Sequence, residues 1–174
     1  MQETKARKTA YYGIITALGL ILSYVETLIP ISFGVPGAKP GLANLVVLLC
    51  LRAPYDDFKK NITGAFLAGV LRILLSGFLF GNMFAIAYSL AGFVTALTAE
   101  ALMEYAGEFG LTSISAVGGV MHNMGQLLVA VVLCGTPVLV YLPWLILFGV
   151  IAGLITGIPG ALLIKRVRRF VNNS

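Results

Sequence analysis

Seven polar side chains stand in largely apolar surroundings: Glu26, Lys39, Asn44, Arg72, His122, Asn123 and Gln126. Their types suit one task, holding an anionic or hydrogen-bond-accepting group. Lys39 lies in Pro36-Gly37-Ala38-Lys39-Pro40-Gly41-Leu42-Ala43-Asn44, where glycine and proline impose an unusual backbone path with exposed N–H groups. Lys39 adds a cation and Asn44 a donor and an acceptor. The segment therefore reads either as a site for a phosphate, diphosphate or carboxylate, or as a solvated turn whose lysine meets lipid headgroups. Arg72 has apolar neighbours on both sides in Leu71-Arg72-Ile73-Leu74-Leu75. A lone arginine inside a bilayer costs about 2.5 kcal/mol or more on insertion scales unless paired or hydrated. Its planar fork matches a carboxylate or phosphate. Three readings stand: ligand recognition, a structural pair with Glu26, or snorkelling to the outer interface.

His122 is the one histidine, in Met121-His122-Asn123-Met124-Gly125-Gln126. On a helix His122 and Gln126 share a face with Ser115, Gly118 and Gly119, while Asn123 is turned by about 100° toward a neighbouring helix. This stripe reads as a pocket wall, where histidine could bond a ligand carbonyl or relay protons, or as a hydrogen-bonded core trio. A metal site is not indicated, because one histidine without a carboxylate at ligand spacing is insufficient. Cys50 and Cys134 form no CxxC or Cys/His pattern and read as small buried hydrophobes. Glu100, Glu104 and Glu108 follow an i, i+4, i+8 ladder, read as a solvated helix end or a docking face for a basic cytoplasmic partner. No Walker A, GxGxxG, GxSxG, HExxH or aspartate-rich DDxxD pattern is present, so independent catalysis is not supported and no cofactor is named.

The elements that position these residues follow from composition. The chain has 174 residues, 59% hydrophobic and 11% charged, with a mean hydropathy of +0.95. A soluble domain carries about 25% charged residues, so a membrane protein is expected. At about 20 residues per span there is room for six helices in a single transmembrane domain covering residues 1–174. The expected spans are 9–30, 41–52, 61–78, 82–105, 111–133 and 138–165. The basic N-terminus resembles a signal peptide only superficially; the apolar run is as long as a span and has no cleavage site. The second span is short for a bilayer of about 30 Å. Either part of the 31–40 loop joins it or its neighbours shelter it, and the loop is a candidate lid over an outward-facing pocket. Gly149, Gly153 and Gly157 share a face, as do Ala10, Gly13 and Ala17 less strictly. Both stripes read as internal helix packing or as docking to another membrane subunit.

Ten of the 12 Lys and Arg residues group as Lys5, Arg7 and Lys8; Arg52, Lys59 and Lys60; and Lys165, Arg166, Arg168 and Arg169. The positive-inside rule then places all three groups, and both termini, in the cytoplasm. The cations are explained by a membrane surface, and no nucleic-acid partner is expected. The expectation is an all-α, multi-pass protein of the bacterial cytoplasmic membrane, with the lipid bilayer and a small molecule as partners.

The motifs resemble a known family. Residues 36–44 resemble the PGxKxGLAN signature of the Gx transporter family, also catalogued as heptaprenyl diphosphate synthase component I. Arg72, Phe80-Gly81-Asn82 and Tyr88-Ser89-Leu90-Ala91-Gly92 are similar to its RxLL…FGN…YSLxG stretch, and His122-Asn123-x-Gly125-Gln126-Leu127 to its HNxGQL block. Pro40 departs from the bulky apolar residue expected there and would stiffen the loop. The resemblance implies a six-helix bundle like the S components of energy-coupling-factor transporters, with a long first loop over an outward pocket. It implies an isoprenoid, quinone or flavin-type ligand. Partners so implied are a membrane coupling subunit or a soluble prenyl synthase, whose membrane subunit this chain would then be. The family's gene neighbourhoods also imply a subunit of flavin- and demethylmenaquinone-linked extracellular electron transfer.

Overall fold

The computed structural model describes residues 2–28, 41–54 and 57–172. Among them every regular element is helical: α1 (Gln2–Leu28), α2 (Leu45–Leu51), α3 (Phe58–Phe80), α4 (Met83–Ala106), α5 (Leu111–Cys134) and α6 (Leu142–Asn172). Short 3₁₀ turns, Leu42–Asn44 and Thr136–Tyr141, lead into α2 and α6. Five stretches are long and apolar enough to cross a membrane, from Ala6–Leu28 with 23 residues to Thr136–Arg169 with 34. At 1.5 Å per residue the shortest extends about 35 Å, more than the hydrocarbon core. The chain is a multi-pass membrane protein, and among the described residues it has five helices long enough to span and a short sixth.

Helix α2 is the exception because its neighbours enclose it. Every residue from Leu45 to Leu51 is buried, and Val46, Val47, Leu48 and Cys50 are 0% exposed. A helix this short leaves carbonyls that lipid cannot satisfy. Asn61 on α3 supplies the missing donors, its Nδ2 donating to Leu51 O at 3.0 Å and to Ala53 O at 3.1 Å. Tyr11 on α1 donates its hydroxyl to Leu49 O at 2.7 Å. The short span is therefore sheltered by its neighbours; any contribution from loop 31–40 lies outside the described residues.

The turns are set by local chemistry. Asn82 Oδ1 accepts from Ala85 N at 2.9 Å and starts α4 after the Phe80-Gly81-Asn82 turn. Asp57 Oδ1 accepts from Lys60 N at 3.1 Å and starts α3. Gly107 ends α4 with φ +75°, a conformation that suits glycine. Pro137 lies in the turn before α6, which begins at Leu142, four residues later than the hydropathy pattern suggests.

The glycine stripe of α6 packs internally. A Cβ on Gly119 would lie 2.2 Å from Gly149 O, and one on Gly153 would lie 2.3 Å from Ser115 O. Only bare backbone lets α5 and α6 approach so closely. Ser115 Oγ uses that approach to donate to Gly153 O at 2.6 Å. The stripe on α1 differs from the packing expectation: a Cβ on Gly13 would meet nothing within 4 Å. Gly13 and Ala17 instead line an open groove of about 640 Å³ with Tyr12, Thr16, Gly64 and Leu67. Elsewhere the outer surface is strongly apolar, as a lipid-facing surface requires: Phe78 is 74% and Val132 84% exposed.

Candidate functional site

Four of the seven singled-out residues, Glu26, Arg72, His122 and Gln126, sit in one polar region. Helix α1 presents Ser23 and Glu26, three residues apart and therefore on one face, and both are buried. Arg72, on α3 and 5% exposed, lies across Gly19 of α1, where a Cβ would be 2.7 Å from Arg72 Cδ. That glycine gives the guanidinium room to reach between the helices. Arg72 Nη1 donates to Ser23 Oγ at 3.0 Å. Arg72 also lies within electrostatic reach of Glu26, whose Oε1 accepts the Leu42 backbone N–H. Glu26 thus secures the entry to α2 and gives Arg72 a counter-charge. Arg72 Nε has no hydrogen-bond partner among the described residues.

His122 on α5 is clamped between two glycines. A Cβ on Gly41 would lie 2.9 Å from its Cδ2, and one on Gly92 would lie 2.8 Å from its Nδ1. His122 Nε2 lies 2.9 Å from Gln126 Nε2, one turn along the same face. The amide can only donate there, so Nε2 accepts and Nδ1 carries the hydrogen. Nδ1 faces the Gly92 backbone without reaching hydrogen-bond geometry. His122 and Arg72 are within electrostatic reach of each other. Among the described residues the region therefore holds two buried N–H donors without an acceptor, Arg72 Nε and His122 Nδ1. Buried polar groups are rarely left so.

The two asparagines do other work. Asn123 is turned away from His122, as the helical register predicts, and its Nδ2 donates to Leu145 O of α6 at 2.7 Å. Its Oδ1 has no partner. Asn44 donates its Nδ2 to Glu100 Oε1 at 2.7 Å. Lys39 and the rest of its loop, including the candidate lid, lie outside the described residues.

Glu100 is the residue that the pattern misplaces. The ladder reads as a solvated helix end, yet Glu100 is 0% exposed. Its carboxyl sits against bare α5 backbone, where a Cβ on Gly118 would be 1.8 Å from Oε1. Its setting in Ala99-Glu100-Ala101-Leu102 was the available signal. Only the later rungs reach polar surroundings: Glu104 takes Arg52 Nε at 2.8 and 2.9 Å, and Glu108 is exposed. The cysteines also divide, Cys50 being buried and Cys134 exposed. Among the described residues no three His, Cys, Asp or Glu side chains gather as a metal set would.

A family model described as heptaprenyl diphosphate synthase component I matches residues 15–163, well over half of the chain. The chain belongs to that family. The matched range includes the polar region described above, from Ser23 to Gln126. Comparison with curated proteins and with solved structures gives no match.

Proposed function

We propose that this protein binds, and transports across the bacterial cytoplasmic membrane, a small ligand with a polar or anionic head and an isoprenoid, quinone or flavin-type body. The observation that carries this reading is the pair of buried donors, Arg72 Nε and His122 Nδ1, that have no acceptor among the described residues. They sit within electrostatic reach of each other on different helices. A carbonyl, carboxylate or phosphate oxygen satisfies both, and a dry, low-dielectric setting strengthens each contact. Arg72 and His122 read the head, and Lys39 is a further candidate cation for it. Glu26 and Gln126 hold Arg72 and His122 in register, while Asn44 and Asn123 fix the helices around them. The bundle is like an S component, with both termini in the cytoplasm, as the ten grouped cations favour. The open groove at Gly13 and Ala17 suits a membrane coupling subunit.

Purified protein in nanodiscs, screened by thermal shift with flavins, menaquinone and prenyl diphosphates, tests this. At least one ligand raises the melting temperature, and Arg72→Ala or His122→Ala removes the rise. If both variants leave every positive shift unchanged, the site is wrong.

The family description favours a second reading, a non-catalytic membrane subunit of a prenyl diphosphate synthase. Its docking surface would be the exposed Lys59 and Lys60 with Glu108, since Glu100 and Glu104 are already engaged. Co-purification with a soluble synthase in gentle detergent supports this reading, and its failure removes it.

A further inference from the structure

Glu100 has no role in the donor site, and its surroundings are unusual for a carboxylate. It is 0% exposed in the middle of the helix bundle. Among the described residues its partner is Asn44, whose Nδ2 donates to Oε1 at 2.7 Å. The nearest rung of its own helix, Glu104, holds Arg52, so that cation is engaged elsewhere. The elements packed against α4 bring Cys50 on α2, Lys59, Lys60 and Arg72 on α3, and His122 and Cys134 on α5, and α4 itself carries Tyr88, Glu104 and Tyr105.

Two atoms of the Asn44–Glu100 pair have no partner among the described residues: Glu100 Oε2 and Asn44 Oδ1. Both are acceptors, and they belong to groups already joined by a hydrogen bond on their other atoms. A single hydrogen between them satisfies both. A carboxylic acid and an amide can pair in this way, each donating once and accepting once. An ionised carboxylate here would instead be buried with one neutral donor, an arrangement that interiors avoid.

We propose that Asn44 and Glu100 form an embedded proton-binding site, in which Glu100 Oε2 carries a hydrogen donated to Asn44 Oδ1. The site is independent of the ligand reading, but it shares a structural element with the donor region. Residues 41–44 carry Gly41 against His122, Leu42 N–H on Glu26, and Asn44 on Glu100. Removing the proton places an uncompensated charge behind the segment that packs on His122. Proton occupancy and the position of α2 are therefore coupled.

Infrared difference spectroscopy of the full chain in nanodiscs at neutral pH tests the site. The expected result is a protonated-carboxyl C=O band that shifts in D₂O, is absent in Glu100→Gln and persists in Glu104→Gln. In Asn44→Leu the band moves to higher frequency as its hydrogen bonds are lost. Glu100→Gln retains both pairings, donating to Asn44 Oδ1 and accepting from its Nδ2, so its melting temperature stays within about 4 °C of the native value. Absence of a Glu100-dependent band overturns the proposal, as does unfolding of Glu100→Gln. A sodium-dependent stabilisation lost in Glu100→Gln also overturns it, by assigning the orphaned oxygens to a metal cation. None of these outcomes depends on ligand binding, so the donor site stands or falls separately.

Discussion

Arg72 Nη1 donates to Ser23 Oγ at 3.0 Å, joining α3 to α1 while leaving Arg72 Nε without a partner. One nitrogen of the guanidinium thus holds the helices together, while Nε has no acceptor among the described residues. His122 repeats the pattern on α5. Gln126 occupies its Nε2 at 2.9 Å, and Nδ1 has no acceptor. In each residue one nitrogen is fixed by the protein and another, Arg72 Nε or His122 Nδ1, has no acceptor among the described residues.

The short helix α2 depends on Asn61. Replacing it by Ala leaves the Leu51 and Ala53 carbonyls without their donor and costs about 1–3 kcal/mol. Asn61→Asp is expected to be no better, because a carboxylate cannot donate. Denaturant titration in mild detergent measures both, with equal stability of Asn61→Ala and native protein as the contrary result.

Glycines on the two stripes should respond oppositely. Gly119→Ala and Gly153→Ala drive a Cβ to 2.2 and 2.3 Å from backbone oxygen and lower stability by about 1–3 kcal/mol. Gly13→Ala meets nothing within 4 Å and leaves the isolated protein as stable as before. Melting temperatures of the three variants, compared in one detergent, check the contrast.

Much of this architecture was legible because bilayer-spanning sequence is plain. Runs of apolar residues place α3, α4 and α5 to within three residues, and Arg72 and His122 stand out against them. The brevity of the second span also pointed to shelter by its neighbours, which Asn61 and Tyr11 supply. Only its apolar neighbours in sequence hinted at the burial of Glu100, which is created by Asn44 and Gly118 from other helices, whereas its spacing from Glu104 and Glu108 looks like a solvated face. Nor could the use of Asn44 and Asn123 be read, because hydrogen bonds to Glu100 and Leu145 depend on non-local packing. The α1 stripe misled for a related reason: small residues permit close approach but do not ensure that a neighbour is there.

The orientation proposed from the grouped cations can be checked directly. In a Cys134→Ala background, which removes the exposed native thiol, cysteines placed at Lys59 and Arg166 should react with impermeant reagent only from the cytoplasmic side. Labelling from the outside would reverse the assignment. Cys50, being buried, should contribute little background.

The central claim is that Arg72 and His122 together read the head of a ligand, and the affinity of the screened ligand for four proteins tests it most directly. Native protein, Arg72→Lys, His122→Gln and the double variant would be titrated in nanodiscs under one buffer. Arg72→Lys keeps the charge but loses the fork, so a loss of about tenfold or more, roughly 1.4 kcal/mol, is expected. His122→Gln is expected to lose a similar amount, and the double variant less than the sum because both donors meet one group. Unchanged affinity in all three variants would contradict the claim.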